Sequence, residues 1–343
     1  MDARTEKAYQ ERVAELESQN AHLESRLVDL THQLAQRDTV IAELRVQVAQ
    51  SDATIAALQQ QVAALSKQVA ELLAQVIQKV SGAMAQSHED LLEMLPNQAV
   101  LNVDETGHKT NGRRHWTWCF RAASFICFKI DHSRGSQVLR EVLGEAFAGT
   151  LGCDYFSAYH KYGKDFEAAM QFCLAHLIRD VKFLATLPEP AIVAYGERML
   201  VELRHLFHII HQRGTMAAEA FQSAMEQARD DLTAVSLDAP QYRPAQNMAK
   251  RFEQNGESYF RFITTPGLEP TNNLAEQAIR FVVLDRLVTQ GTRSERGQKW
   301  CERIWTAIAT CSQQQRSVFE FLYQSINNHF AGKPTPSLLP SGP

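Results

Sequence analysis

The feature that most constrains the fold is an unbroken seven-residue repeat of apolar side chains near the N-terminus. The first 80 residues contain no Gly, Pro, Trp or Cys, and ten heptads fit them without a stutter. The first heptad position is occupied by Val13, Asn20, Leu27, Leu34, Ile41, Val48, Ile55, Val62, Val69 and Val76, and the second by Leu16, Leu23, Leu30, Arg37, Leu44, Ser51, Leu58, Leu65, Leu72 and Lys79. This repeat predicts a coiled coil over residues 1–80, because a single helix packed on a globular part would drift off a 3.5-residue period.

The residue types in the repeat favour a parallel homodimer. Most sites of the first set are β-branched, most sites of the second set are Leu, and Asn20 is the one polar residue of the first set. This combination is typical of two parallel strands whose register is set by the buried Asn. We therefore predict self-association through this segment.

The composition excludes several classes of protein. Hydrophobic residues make up 45% of the 343 residues, but no apolar run approaches the roughly 18 residues that a membrane span needs. The six cysteines form no Cys-x-x-Cys pair and are expected to be reduced thiols in a cytoplasmic protein. The net charge of −4 argues against a uniformly basic nucleic-acid binder, but it permits a local basic surface.

Beyond the coil, the pattern predicts strands followed by many helices. We expect Ser81-Gly82 to loosen the coil and Pro96 to end a short helix that begins at His88. Strands are predicted at 99–104, 115–122, 125–130 and 149–154, a helix at 133–144, mostly helical structure at 171–262, a loop at 264–273 and helices from 273 to 330. This order predicts an α/β (α+β) core with a helical insertion.

Two adjacent carboxylates follow an apolar run in the stretch VLNVDETG, residues 100–107. Asp104 and Glu105 are compatible with a surface turn that ends at Gly107, or with a metal ligand at the end of a central strand. Asp154 has the same context at the end of the fourth predicted strand. If both strands end at one edge of the sheet, the two like charges need a cation between them. Oxygen ligands suit Mg²⁺ or Mn²⁺. Two such ions about 3.5–4 Å apart would support phosphoryl-transfer chemistry.

A third carboxylate, Glu276, lies near the start of a predicted helix. On a helix that begins near Asn273, Glu276 shares one face with Ile279, Arg280 and Val283. An acid at the start of an inward-facing stripe suits a metal ligand. Asn273 and Glu276 also have the spacing of a capping box, in which Glu276 would bond back to the backbone of Asn273. Spacing alone favours neither the metal ligand nor the capping box.

Two histidine patterns are compatible with metal binding without requiring it. Cys173-x-x-His176 is two ligands short of a zinc site, and spacing alone favours a packed cysteine and a capped histidine. In HLFHIIH, residues 205–211, His205 and His208 share one helical face. Without an acidic partner nearby, an ordinary amphipathic helix is the favoured interpretation there.

Four stretches resemble the insertion sequence 66 family of bacterial transposases: VLNVDETGHKTNGRRHWTW, GTLGCDYFSAYHKY, CLAHLIRD and TTPGLEPTNNLAEQAIRFVV. The resemblance runs from about Val76 to Leu339. It implies a ribonuclease-H-like DDE core in which Asp104, Asp154 and Glu276 bind Mg²⁺ or Mn²⁺, with His176 beside the active site. The heptads, the proline-rich C-terminus and this resemblance together predict a parallel coiled coil (1–80), the first part of the core (81–170), a helical insertion (171–265), the C-terminal helices of the core (266–331) and a flexible tail (332–343).

Basic residues are concentrated near these acids despite the negative net charge. Residues 109–140 contain seven Lys or Arg and one acid, and TQGTRSERGQKW adds three more. Such runs usually form a solvated surface, but beside a phosphate-cleaving centre they are expected to bind the DNA backbone. The candidate DNA-binding residues are Lys109, Arg113, Arg114, Asn272, Asn273, Arg280, Arg293, Arg296 and Lys299.

The resemblance has one departure that bears on function. Family members normally carry a cysteine-bearing zinc module and a helical DNA-binding segment before the core, whereas no cysteine precedes Cys119 here. The three acids favour an active transposase that cleaves and joins DNA. The missing module leaves a catalytically silent, coiled-coil DNA-binding or regulatory dimer as the alternative, and a different two-metal nuclease as a third. The expected partners are DNA and a second copy of the chain, in the bacterial cytosol or nucleoid.

Overall fold

The computed structural model describes residues 2–340, and the chain divides into two units between Gln75 and Val76. Helix α1 (Ala3–Ala83) supplies the first unit, since neither Gly nor Pro interrupts it before Gly82. Its heptad positions are exposed in the single chain: Leu23, Ile41 and Val62 expose 60%, 43% and 63% of their surfaces. The helix continues through Gly82 and ends at Ala83, so the break lies just beyond the predicted Ser81-Gly82 position.

The second unit is built around a mixed sheet. Its strands, within residues 2–340, are β1 (Val100–Thr110), β2 (Arg113–Arg121), β3 (Ile126–Asp131), β4 (Thr150–Cys153) and β5 (Ala169–Phe172). They are ordered β3-β2-β1-β4-β5; β1, β2 and β3 are antiparallel, whereas β4 and β5 run parallel to β1. The predicted mixed α/β class is confirmed. Strand β5 was missed, because four residues, three of them buried, are too few for a periodicity to distinguish a strand from a helix.

Strand β1 differs from the prediction in a way that matters for function. It does not end at Asp104 but continues to Thr110, and the turn to β2 is made by Asn111 and Gly112, both with positive φ. The alternative of a surface turn at residues 104–107 is therefore wrong, and so is the predicted end of the strand at Asp104. The parallel pairing of β1 with β4 ends at Asn102 and Gly152, so Asp104 lies where one neighbouring strand has stopped and only β2 still pairs with β1.

Helices cover both faces of this sheet. They are α2 (Ala85–Met94), α3 (Ser136–Leu143), α4 (Ser157–Phe166), α5 (Leu174–Leu184), α6 (Pro190–His211), α7 (Ala218–Leu237), α8 (Arg243–Asn255), α9 (Asn273–Thr289), α10 (Glu295–Gln313) and α11 (Val318–Phe330). Helices α9 and α10 pack on one face against Cys119, Phe128 and Ile130. The larger core lies on the other face, where Leu101 and Trp118 pack with residues of α2, α3 and α4.

The segment from α5 to α8 is helical and lies between β5 and α9 in the chain. It has its own buried residues, among them Tyr195, Leu203 and Leu206 on α6 and Leu232 on α7. The Tyr195 hydroxyl donates to the carbonyl of Ser236 at 2.6 Å, which links α6 to α7. Within residues 2–340, no helix is both long and apolar enough to cross a membrane. The six cysteines all lie in this described range and are free thiols.

The C-terminal segment is packed as far as it is described, which corrects the expectation of a flexible tail from residue 332. Leu338 is only 2% exposed, and its carbonyl accepts a hydrogen bond from Gln314 Nε2 at 2.8 Å. Ser87 Oγ on α2 donates to the carbonyl of Pro336 at 2.7 Å. The proline content predicted a flexible segment, but the burial of the apolar Leu338 stabilises its packing against the core. Residues 341–343 of the expected tail lie outside the described residues.

Candidate active site

A cavity of about 680 Å³ opens between β1, α5 and α9. Its lining residues are Asp104, Ala175, His176, Arg179, Asn273, Glu276, Gln277, Ile279, Arg280 and Val283. One cavity is therefore lined by two of the three predicted acids (Asp104 and Glu276), by the predicted histidine (His176) and by a predicted arginine (Arg280). They come from three separate parts of the chain, which only the packing of α5 and α9 beside β1 brings together.

Asp104 projects from the face of β1 that is covered by α9. Side chains alternate along a strand, and the even-numbered neighbours Asn102, Thr106 and His108 contact Asn272, Arg286 and Trp305 on that face. The Oδ1 atom of Asp104 accepts the backbone N–H of Glu105 at 2.9 Å. Burial, followed by the charges of Glu105, Asp154 and Glu276, raises the pKa of Asp104 to about 7. A cation beside this carboxylate would favour its charged form at neutral pH.

Glu105 lies on the opposite face and has partners within the protein. Its Oε1 lies 2.7 Å from Arg134 Nη2, and its Oε2 accepts a hydrogen bond from the Tyr159 hydroxyl. Arg134 in turn stacks over Phe156. Burial raises the pKa of Glu105, although its hydrogen bonds with Tyr159 and Arg134 oppose that shift. Glu105 is thus held in an internal network, which leaves Asp104 as the acid that faces the cavity.

Asp154 follows β4 directly. Its Oδ1 accepts the backbone N–H of Phe156 at 3.0 Å, a bond that turns the chain towards α4. Asp154 is not among the residues that line the cavity, but its negative charge contributes to the raised pKa values of both Asp104 and Glu105. Asp154 and Glu276 therefore both act electrostatically on Asp104.

Glu276 lies in the first turn of α9. The helix begins at Asn273 with Asn272 as its N-cap, and within residues 2–340 no side-chain hydrogen bond caps this terminus. The alternative of a capping box between Asn273 and Glu276 is therefore wrong. The Oε1 atom of Glu276 lies 3.5 Å from Nδ1 of His176.

The Cys173-x-x-His176 pair joins the start of α5 to the start of α9. The Sγ atom of Cys173 accepts the backbone N–H of Asn272 at 3.1 Å, and burial raises the pKa of this thiol. Cys173, His176 and Glu276 each place a potential ligand atom within 4.8 Å of the others. His176 Nδ1 is buried, and none of the described residues forms a hydrogen bond with it. It is therefore not the capped histidine that spacing alone favoured.

Asn272 was predicted to contact DNA, and its position corrects that prediction. It is 1% exposed, its Nδ2 donates to the carbonyl of Val103 at 2.8 Å, and its Oδ1 accepts from Asn102 Nδ2 at 3.1 Å. All of these groups lie inside the protein, so Asn272 anchors the start of α9 to β1. Asn273, the next residue, is exposed and lines the cavity.

Two arginines face the cavity beside these acids. Arg280 was predicted from the stripe on α9, whereas Arg179 on α5 was missed. Arg179 lies one helical turn after His176, so the i, i+3 spacing in CLAHLIRD was the available signal. Both side chains are exposed and provide positive charge at the cavity mouth.

The remaining basic candidates converge around the hairpin of β1 and β2. Lys109, Arg113 and Arg114 are exposed on the hairpin. A second cavity of about 620 Å³ is lined by Thr106, Gly107, His108, Lys109, Gly112, Arg114, Trp116, Arg286, Leu287 and Gln290. Arg286, on α9, also donates to Thr106 Oγ1 at 2.9 Å. The hairpin therefore carries a basic surface next to the cavity that Asp104 and Glu276 line.

The loop after α9 lies beside the same hairpin. Thr292 N donates to the carbonyl of Lys109, and Asn111 N donates to the carbonyl of Thr292, at 2.9 and 2.8 Å. Gly291 permits this approach, since its φ is +89° and a Cβ there would lie 2.3 Å from the Lys109 carbonyl oxygen. The loop continues directly into the exposed Arg293 and Arg296.

Lys299 differs from these two arginines. Its Nζ lies 3.0 Å from Oε2 of Glu302, whose side chain is 2% exposed. Glu302 in turn accepts the backbone N–H of Ile130 at 2.7 Å. Lys299 therefore neutralises a buried carboxylate while its own side chain stays 60% exposed, so its DNA-binding role remains a prediction.

The model of the transposase IS66 family matches residues 22–300 of the chain. The chain belongs to this family. The match begins inside α1, so the family's similarity includes most of the heptad segment and does not start near Val76 as expected. It also includes every candidate site residue named above. Membership of a transposase family implies DNA as the partner. Neither a curated protein nor a solved structure gives a significant match.

Proposed function

We propose that this chain is a metal-dependent DDE transposase that cleaves DNA and joins it to a target by in-line phosphoryl transfer. The observation that carries the proposal is the cavity in which Asp104 of β1, His176 of α5 and Glu276 of α9 meet. Family membership supports the reaction class, and the strand order β3-β2-β1-β4-β5 supports a ribonuclease-H-like core.

The residues present fit a pair of Mg²⁺ or Mn²⁺ ions. Asp104 is partly buried, and burial followed by the charges of Glu105, Asp154 and Glu276 raises its pKa to about 7, so a cation beside it would favour its charged form. Carboxylate oxygens are the ligands that these ions prefer. Asp104, Asp154 and Glu276 would hold the ions, which supply activation of the attacking oxygen and stabilisation of the leaving oxygen.

The other residues of the cavity would hold the DNA and the third acid. Arg179 and Arg280 are exposed at the cavity mouth, where they would bind the phosphates that flank the cleaved bond. His176 would orient Glu276, because its Nδ1 lies 3.5 Å from the Glu276 carboxylate and has no bond to another described group. It would also be within reach of the scissile phosphate.

The basic hairpin surface would extend the DNA contact beyond the cavity. Lys109, Arg113 and Arg114 lie on the hairpin, and Arg293 and Arg296 follow the loop that pairs with it. Exposed arginines and lysines bind the phosphate backbone and carry little sequence information. DNA binding by this surface would therefore be largely independent of sequence.

The heptad segment would hold two cores together. A transposase acts on two DNA ends, and the exposed apolar stripe of α1 matches the surface that a second parallel helix buries. The remaining domains would be a core interrupted by the helical insertion from α5 to the loop before α9, with the C-terminal helices completing the core.

A strand-transfer assay with Mg²⁺ on DNA that carries the transposon's own ends tests this proposal. We expect cleavage and joined products from the wild-type chain and neither from Asp104→Asn, Asp154→Asn or Glu276→Gln. A chelator should abolish the reaction, and added Mg²⁺ should restore it. Cleavage without joining would identify a nuclease, and DNA binding without either step would identify a silent regulatory dimer.

A further inference from the structure

A second group of metal-ligating side chains lies in the helical insertion. Glu202 and His205 are one turn apart on α6, and Asp231 is on the neighbouring helix α7. Each contributes a potential ligand atom, and the three atoms lie within 4.8 Å of one another. None of the three lines the candidate active-site cavity. His205 was not expected to bind metal because no acidic partner was recognised nearby, but Glu202 lies one turn earlier on α6 and the packing of α7 on α6 adds Asp231.

The helices hold these side chains on a rigid base. Leu203 and Leu206 on α6 and Leu232 on α7 are 1%, 0% and 0% exposed, so the residues that flank the group are fixed in the core. The bond from the Tyr195 hydroxyl to the Ser236 carbonyl links α6 to α7 in the same region. Asp231 Oδ1 accepts a hydrogen bond from Gln227 Nε2 at 2.9 Å, which orients that carboxylate. Oriented ligands of this kind favour metal binding.

The two carboxylates have no cationic side chain to neutralise them. Within residues 2–340, no Lys or Arg nitrogen forms an ion pair with Glu202 or Asp231. The arginines nearby in sequence are engaged elsewhere: Arg198 pairs with Asp238 at 2.6 Å and Arg229 with Asp230 at 2.8 Å. Two like charges brought together by helix packing are unfavourable without a cation.

We infer that Glu202, His205 and Asp231 form a divalent-metal site that ties α6 to α7. One imidazole nitrogen with two carboxylate oxygens suits a first-row ion such as Zn²⁺ better than Mg²⁺, which prefers oxygen ligands alone. Bonds of about 2.0–2.2 Å to one ion would draw the three ligand atoms, which now lie within 4.8 Å of one another, around a common centre. The Glu-x-x-His spacing with a carboxylate from a facing helix also recurs in metal-binding helix bundles.

Zinc titration of the full-length, chelator-treated protein tests this site without reference to DNA cleavage. At about a hundredfold excess over the dissociation constant, Zn²⁺ should raise the unfolding temperature by roughly 5–10 °C. His205→Ala and Asp231→Asn should lose this shift together with about one bound equivalent of Zn²⁺. Both residues lie at the helix surface, so neither change should prevent folding.

His208→Ala is the matched control. His208 lies one turn further along α6, is exposed, and bonds to Gln212 at 2.9 Å. This variant should bind as much Zn²⁺ as the wild type and show the same shift. Equal zinc binding by the wild type and His205→Ala, or no stabilisation of the wild type by Zn²⁺, would overturn the inference. Either result would leave the proposed DNA chemistry unaffected, since the two sites share no residue.

Discussion

Asp104 and Glu105 are consecutive residues of β1, but their carboxylates lie on opposite faces of the sheet. Asp104 faces α9 and lines the cavity with Glu276, whereas Glu105 is bonded to Arg134 and to the hydroxyl of Tyr159. The alternation of side chains along a strand is the reason. Two acids that look equivalent in the sequence therefore have different surroundings, Asp104 beside a cavity and Glu105 within an internal hydrogen-bond network.

Exchanging each acid for its amide should separate these roles. Asp104→Asn should abolish Mg²⁺-dependent DNA cleavage while leaving the protein folded, because it removes a charge that has no cationic partner among the described side chains. Glu105→Gln should lower the free energy of unfolding by about 1–3 kcal/mol, because Arg134 loses its carboxylate. Cleavage assays and denaturant unfolding measure the two effects. Retained cleavage by Asp104→Asn would exclude that residue as a ligand.

The stability of the metal-free protein should depend on the ionisation of Asp104. Its pKa is raised in the folded protein to about 7 from an ordinary value of 3.8. The folded state therefore holds this proton more tightly than the unfolded state, and the stabilisation is lost as the pH rises from about 4 through 7. Asn at position 104 cannot ionise, so Asp104→Asn lacks this pH dependence. Measured with a chelator across this range, the unfolding temperature of the wild type should fall relative to that of Asp104→Asn as the pH rises.

Added Mg²⁺ provides the matching control for that pH series. A cation favours the charged carboxylate, so Mg²⁺ should stabilise the wild type at pH 8 and have little effect at pH 5. Asp104→Asn should respond weakly at both pH values. A difference between the two proteins that stays constant with pH would contradict the assigned cause.

DNA binding should be electrostatic and shared by the hairpin and the loop beside it. Replacing Arg293 and Arg296 together with Ala should reduce the slope of log K against log salt concentration by about 1.8, if each binds one phosphate. Arg229→Ala is the control, because that residue pairs with Asp230 on α7. Binding curves on specific and scrambled duplexes between about 50 and 200 mM salt test this prediction. A strong preference for one duplex would show that the chain reads bases.

The α1 helix should direct dimerisation. Full-length protein should be a dimer by light scattering at micromolar concentration, and deletion of residues 1–72 should leave a folded core that no longer dimerises through this segment. Asn20→Leu should raise thermal stability and loosen the choice of oligomer, because it removes the polar residue from the apolar seam. A monomeric full-length chain, or helices that associate antiparallel, would contradict the prediction.

Local patterns in the sequence were sufficient for the long helix, for the family and for the identity of the candidate acids. The heptads of α1 and the apolar run before Asp104 are periodic signals, and periodicity depends only on neighbours in the chain. The family resemblance, which the match over residues 22–300 confirms, rested on long contiguous strings around Asp104, Asp154 and Glu276. The roles of these three residues remain predictions.

Tertiary structure decided which of these residues meet and which do not. Only the packing of α5 and α9 beside β1 brings His176, Arg179 and Glu276 to Asp104, and the same packing buries Asn272 inside the protein. Likewise, Asp231 reaches His205 only because α7 lies against α6. The sequence records which side chains are present and how they repeat along the chain. Distances between remote residues depend on how helices and strands pack, and no local pattern contains that information.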